Sequence, residues 1–164
     1  MSLHYLLDGY NIIKQTPIFN RGTLENQRLA LIHWISNTSP QGSVQNGITV
    51  VFDGKAEFFG SHSSGSVQVL FSKGQSADDL IKKIVEQYPL KKNLVVVSND
   101  KDIKLYVRAL GANVLSVKEF MTSVEKKSRP LSNDQKSQQA STSKYVSLAD
   151  QAKINKELKG IWKL

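Results

Sequence analysis

The chain has 164 residues, with 22 Lys and Arg against 14 Asp and Glu, a formal charge of +8, and no cysteine. Its length suits one domain with a real core, or one domain plus a short appendage. Lack of cysteine excludes a disulfide scaffold, a thiolate zinc site and a thiol nucleophile, and suits a reducing cytoplasm, while the positive balance suggests a polyanionic partner such as nucleic acid.

Leu3–Leu7 is a short apolar run that stops at Asp8-Gly9-Tyr10-Asn11, which reads as a strand followed by a turn. The early Asp8 and the lack of a basic leader argue against a signal peptide, and no apolar run approaches the roughly 18 residues of a membrane span. Thr23 is placed to cap a helix through about Asn37, with Leu24, Leu31, Ile32 and Ile35 at helical spacing. Ile48–Phe52 is continuous and β-branched, as in a strand buried on both faces, and it too ends in an acid and a glycine, Asp53-Gly54. Gly60–Gly65 reads as a Ser/Gly-rich loop, and Val67–Phe71 as a further strand. Ser76 is set to cap a helix starting near Ala77, whose apolar face is Leu80, Ile81, Ile84 and Val85. Leu94–Val97 is the most hydrophobic strand and stops at Ser98-Asn99-Asp100-Lys101-Asp102. A helix to about Leu110, a C′ glycine at Gly111, a last strand at Val114–Val117 and a closing helix at Lys118–Lys126 follow.

Strands separated by helices of this length imply an α/β fold with a mainly parallel sheet covered on both faces. Residues 1–127 form that expected domain, 128–145 a Ser-, Gln- and Lys-rich linker, and 146–164 a C-terminal basic helix with Leu148, Ile154, Leu158, Ile161 and Trp162 on one stripe. The tail from 126 to 164 carries eight Lys and one Arg against three acids, a net of +6, which leaves only +2 on residues 1–125. Two readings of the tail stay open: its stripe packs on the body, or its lysines grip RNA or a ribosome.

Acids recur where strands end: Asp8, then Asp53, then Asp100 and Asp102, with Asp78-Asp79 opening a helix. In a parallel α/β sheet the carboxyl ends of the strands share one edge, where ligands bind, so these acids are expected to converge. Carboxylates that close repel unless a cation lies among them, and an oxygen-only donor set suits Mg²⁺ or Mn²⁺, as one or two ions. Such ions activate water and neutralise charge on a phosphoryl group, which points to phosphodiester hydrolysis. Each acid also has a structural reading, as a turn residue or, for Asp78 and Asp79, as a first-turn partner of the helix dipole.

The four segments Leu7-Asp8-Gly9-Tyr10-Asn11, Val51-Phe52-Asp53-Gly54, Gly74-Gln75-Ser76-Ala77-Asp78-Asp79-Leu80-Ile81 and Val97-Ser98-Asn99-Asp100-Lys101-Asp102 occur in the order of a YacP-like NYN domain. Over roughly residues 3–125 the sequence resembles that family, part of the PIN-like nucleases, which also resemble flap endonucleases. The resemblance implies a PIN-like three-layer α/β/α sandwich and a metal-dependent endoribonuclease that acts on mRNA at the ribosome, leaving a 5′-phosphate and a 3′-hydroxyl. By residue, it implies a catalytic set of Asp8, Asp78, Asp100 and Asn11, with metal held by Asp8, Asp53, Asp78, Asp100 and Asp102. Asn11 would orient the acids or touch substrate.

Lys14, Arg21, Arg28 and Lys73 lie near the acidic motifs and are candidate RNA-phosphate contacts, with solvated side chains as the alternative. Ser98 is a candidate to hold a ligand carboxylate or a phosphate, or simply to cap the following helix. Tyr10 has a base-stacking reading and a core reading. His4 and His33 fall in apolar segments and read as structural, and His62 has no partner in the sequence. No phosphate-binding loop, dinucleotide fingerprint or nucleophile elbow is present, and the Asp8-Gly9-Tyr10 turn lacks a phosphatase Asp-x-Asp pattern. The competing function is a non-catalytic RNA- or ribosome-binding module of the same fold.

Overall fold

Five parallel strands form the centre of the computed structural model, which describes residues 1–55 and 67–128. In chain order the elements are β1 (His4–Asp8), α1 (Gly9–Gln15), α2 (Leu24–Thr38), β2 (Gly47–Phe52), β3 (Val67–Phe71), α3 (Ala77–Gln87), β4 (Leu94–Val97), α4 (Lys101–Ala109), β5 (Asn113–Leu115) and α5 (Val117–Ser128). All of them lie within the unit Met1–Pro130. The expected loop at 60–65, with His62, and the expected linker and C-terminal helix beyond 128 lie outside the described residues.

Strand order is β3-β2-β1-β4-β5, so β1 is central and pairs in parallel with both β2 and β4. The alternation of a pleated strand sends Leu7, Val50, Phe52 and Val97 to one face and Leu6, Val51 and Val96 to the other. The first face is covered by α1, α2 and α5 through Ile12, Ile13, Leu31, Ile32, Ile35, Val117 and Phe120. The second is covered by α3 and α4 through Ile81, Val85, Ile103 and Val107, each pair four residues apart on its helix. Burying such side chains contributes about 1.5–3 kcal/mol apiece, which holds three layers together. The α/β/α sandwich expected from the sequence is therefore the observed architecture.

Local caps explain most helix starts. Thr23 Oγ1 accepts from the Asn26 backbone N–H at 3.2 Å, and Ser76 Oγ from that of Asp79 at 3.0 Å. Ser116 and Glu119 form a reciprocal capping box that starts α5, with bonds of 3.1 and 2.7 Å. Gly111, at φ +83°, ends α4 in the left-handed conformation a C′ glycine supplies.

The structure corrects the sequence reading at several points. Asp8-Gly9-Tyr10-Asn11 is not a free turn: Asp8 caps α1, which begins at once with Gly9. A Cβ on Gly9 would sit 2.4 Å from Cε1 of Phe52, so only glycine lets this helix start so close to β2. The last strand is Asn113–Leu115 rather than 114–117, because Val117 already belongs to α5. Leu24, placed on an apolar stripe, is 58% exposed, and His33 is exposed. His4 is structural, as expected: its Nε2 bonds Thr49 Oγ1 at 2.9 Å, at the amino end of the sheet.

Candidate active site

Chain order reverses across the sheet at β1 and β4. From β1 the chain turns into α1 on one face, and from β4 into α4 on the other. A crevice outside the carboxyl ends of two such strands is the usual ligand site of an open parallel sheet. Leu7 and Val97 are the last register pair between these strands, so Asp8 and Ser98 stand opposite one another one step beyond it. Both follow the parity of Leu6 and Val96 and so lie toward the α3 and α4 side.

Hydrogen bonds fix this pair. Ser98 Oγ donates to Asp8 Oδ2 at 3.1 Å, and Asp8 Oδ1 accepts from the Asn11 backbone N–H at 3.4 Å. Ser98 is wholly enclosed and Asp8 only 6% exposed. The same Ser98 oxygen accepts from the Asp100 N–H at 3.1 Å. Asp100 Oδ1 then accepts from the N–H groups of Asp102 and Ile103, at 2.8 and 3.0 Å, capping α4. Asn11 Oδ1 accepts from the Asn99 N–H at 2.9 Å, and Asn99 Oδ1 from the Val117 N–H at 3.0 Å. The segment Ser98–Asp100 is thus tied to β1, α1 and α5 together.

Charge links three elements. Burial pushes the Asp8 carboxyl up to about 6; the Asn11 N–H and the Ser98 hydroxyl oppose this, while Asp78 and Asp100 add to it. Asp78, half-buried in the first turn of α3, is also raised, first by burial, then by Asp100, and further by Asp79 and Asp102, against Lys82. Asp8 thus feels the charges of Asp78 and Asp100, and Asp78 those of Asp100, Asp79 and Asp102. They share no closed coordination shell: among the described residues, no three acidic or histidine side chains are grouped to hold a metal ion. Like charges keep apart, and Asp100 is turned to its own helix.

Asp53 stands elsewhere on the same edge. It is exposed, and its Oδ1 accepts from Ser72 Oγ at 2.7 Å, while Ser72 Oγ accepts from the Gly54 N–H at 3.1 Å. Its carboxylate ties the end of β2 to the end of β3 and is not among the principal charges acting on Asp8 or Asp78. Lys14, Arg21 and Lys73 are exposed, and Lys73 has a left-handed φ of 45°. Of the readings open for Ser98, the structure shows the carboxylate holder and not a phosphate contact, because it is fully buried and its oxygen is committed on both sides. Arg28 is half-buried: Nε donates to Tyr10 Oη at 2.6 Å, Nη2 donates to the same oxygen, and the guanidinium lies 5.3–5.8 Å from the ring centres of Tyr10, Phe52 and Phe71. Each such cation–π contact is worth about 0.5–2 kcal/mol. Tyr10 is therefore a packing residue for Arg28 rather than a free stacking platform. Ser72 went unmarked in the sequence, and only the strand register gives a signal for it.

Comparison with known proteins is decisive for the family: the family model described as "YacP-like NYN domain" matches residues 5–163. The chain belongs to the YacP-like NYN domain family. Crystal structures of Rae1 (YacP) from Bacillus subtilis share the fold. One, of a single-substitution mutant, is 25% identical, with a TM-score of 0.58, over 75% of this chain and 74% of that one. Another is 22% identical, with a TM-score of 0.57, over 98% and 82%. No curated protein sequence matches the chain. Membership of this NYN family, within the PIN-like nuclease superfamily, gives the domain a nuclease-like, RNA-related function. No helix among the described residues is long and apolar enough to cross a membrane.

Proposed function

We propose that this YacP-like domain is a divalent-metal-dependent endoribonuclease that hydrolyses RNA phosphodiester bonds, cutting mRNA at the ribosome in the cytoplasm. One observation carries the chemistry. Asp8 is buried as an acid whose ionisation is disfavoured, and both of its oxygens accept, Oδ2 from Ser98 and Oδ1 from the Asn11 N–H. A position that needed only a cap would not require the charge. A carboxylate held at this cost, beside Asp78 and Asp100, suits a site that works with a cation.

The donor chemistry fits a hard dication, since every candidate ligand is a carboxylate. Asp8, Asp78 and Asp100 would hold it, with Asp102 and Asp53 flanking. When bound, Mg²⁺ or Mn²⁺ supplies charge neutralisation at the scissile phosphate and activation of water. The protein's own part is orientation: Ser98 and Asn11 hold Asp8, and α4 holds Asp100 by one oxygen, leaving Oδ2 without a protein donor among the described residues. The ribosome assignment is supported by the basic tail, +6 over residues 126–164, and by the likeness of the four motifs to ribosome-associated family members.

The second reading, a non-catalytic RNA- or ribosome-binding module, is favoured by the open spacing of the acids. D8N and D100N separate the two. On ribosomes translating a defined mRNA, with and without Mn²⁺ and with 5′ ends mapped, the wild-type chain should cut in a metal-dependent way. Both variants should lose cleavage while still binding. Equal cleavage by either clean variant would sink the enzyme reading.

A further inference from the structure

The guanidinium of Arg28 is embedded in a setting that serves no ion pair. Its Nε and Nη2 converge on one phenolic oxygen, and its central carbon lies 5.3–5.8 Å from the ring centres of Tyr10, Phe52 and Phe71. No carboxylate among the described residues pairs with it. An arginine carries five N–H donors, and aromatic faces accept none of them along the donor edge. A half-buried cation with donors left over is set to receive an anion.

Its place on the fold says which anion. Tyr10 lies two residues past Asp8, Phe52 immediately precedes Asp53, and Phe71 ends β3. A Cβ on Gly54 would lie 3.9 Å from Arg28 Nη2, so the guanidinium borders the Asp53-Gly54 turn on the carboxyl edge of the sheet. A polyanion drawn to an edge that carries Asp8, Asp78 and Asp100 is repelled by their charge, and cations beside them must hold it in place. The planar fork of arginine matches two oxygens of one phosphate, and a guanidinium already fixed by rings and a hydroxyl loses little freedom on binding.

We infer that Arg28 is a substrate-binding residue that grips a backbone phosphate of single-stranded RNA beside the acidic site, with Tyr10, Phe52 and Phe71 presetting its plane. This inference rests on the RNA reading above. In it, Tyr10 acts as a positioning residue through Arg28.

The test is binding of a labelled single-stranded oligoribonucleotide to the full chain, without divalent ions, from about 50 to 200 mM salt. R28M, which keeps an unbranched apolar stem, should bind roughly tenfold more weakly at low salt. Its log–log salt slope should be shallower by about 0.7, the loss of one single-strand phosphate contact. R28K, which keeps a point charge without the fork, should retain the wild-type slope and lose part of the affinity. Y10F should weaken binding at unchanged slope. A wild-type slope and affinity in folded R28M would make Arg28 a packing residue and overturn the inference. Should R28M not fold, wild-type affinity in both R28K and Y10F overturns it equally. Absence of RNA binding by the wild-type chain would overturn the inference together with the RNA reading, whereas binding unaffected by Arg28 would overturn the inference alone.

Discussion

The carboxyl edge of the sheet has two unlike halves. At β1 and β4 one acid is enclosed: Asp8 is held by Ser98 and Asn11, and the Ser98–Asp100 segment is tied to three other elements. At β2 and β3 the acid is exposed, Asp53 serves a local tie through Ser72, and a cation, Arg28, lies among aromatic rings. One half accepts the cost of buried negative charge, and the other presents positive charge beside solvent. On the proposed function, the first half would carry the chemistry and the second the grip on a polyanion. Strand order causes it, since only the β1/β4 pair straddles the point where the chain leaves toward opposite faces.

The sharpest way to break the comparison is at Asp8. D8N and D100N should each lower RNA cleavage by several kcal/mol of transition-state stabilisation, on the order of 10³-fold, in single-turnover assays. Ser98→Ala comes next. It removes the hydroxyl that opposes the rise of the Asp8 carboxyl and leaves the Asp100 N–H without its acceptor. Cleavage should fall by about 10–100-fold, as for other residues that orient a ligand, and the acid limb of the rate–pH profile should move to higher pH. A drop in rate without that displacement would reduce Ser98 to a purely structural role.

Stability gives a third handle, with a fixed sign. The Asp8 carboxyl sits at about 6 in the folded chain against an ordinary value of 3.8, so between those pH values the folded state holds a proton that the unfolded state has lost. Without divalent ions, stability should therefore fall as pH rises through that window, by about 3 kcal/mol from this group, and stay low above it. Denaturant titrations from pH 4 to pH 8 measure this. D8N should flatten the decline and be the more stable protein at pH 8, while Mn²⁺ should stabilise the wild-type chain more than D8N. Equal pH profiles for the two would mean that Asp8 carries no such strain.

Much of this edge was legible in the residues, for a physical reason. Ile48–Phe52 and Leu94–Val97 are strongly hydrophobic runs, the pattern of a strand covered on both faces, and each is closely followed by an acid at the carboxyl edge. Thr23 and Ser76 announced their helices by local chemistry alone. α1 was hidden because Gly9 and Tyr10 are indifferent helix formers; its formation depends on the Asp8 cap and on burial of Ile12 and Ile13. The Ser98 bond to Asp8 joins residues 90 apart, and the Arg28 bonds to Tyr10 join residues 18 apart. Those depend on register and packing, which no local spacing encodes. The three readings left open for Ser98 are separated only by that packing, which favours the carboxylate-holding one.

The smallest effect is expected at Asp53, and it is the one that sharpens the division. Asp53 follows a strand, as Asp8 does, and the resemblance of its Phe52-Asp53-Gly54 turn to that of the related flap endonucleases is what proposes it as a metal-holding acid. Yet its carboxylate accepts from Ser72 and is exposed, where Asp8 is enclosed. Asp53→Asn keeps an acceptor for Ser72 at nearly the same shape, so stability should fall by no more than about 1 kcal/mol. If the two halves of the edge are as distinct as their bonds, cleavage should fall less than for Ser98→Ala, although Ser98 is uncharged and Asp53 is a carboxylate. A loss at Asp53 equal to that at Asp8 would mean that cation binding draws the β2 end into the same cluster, and the boundary between chemistry and grip would then move past β2.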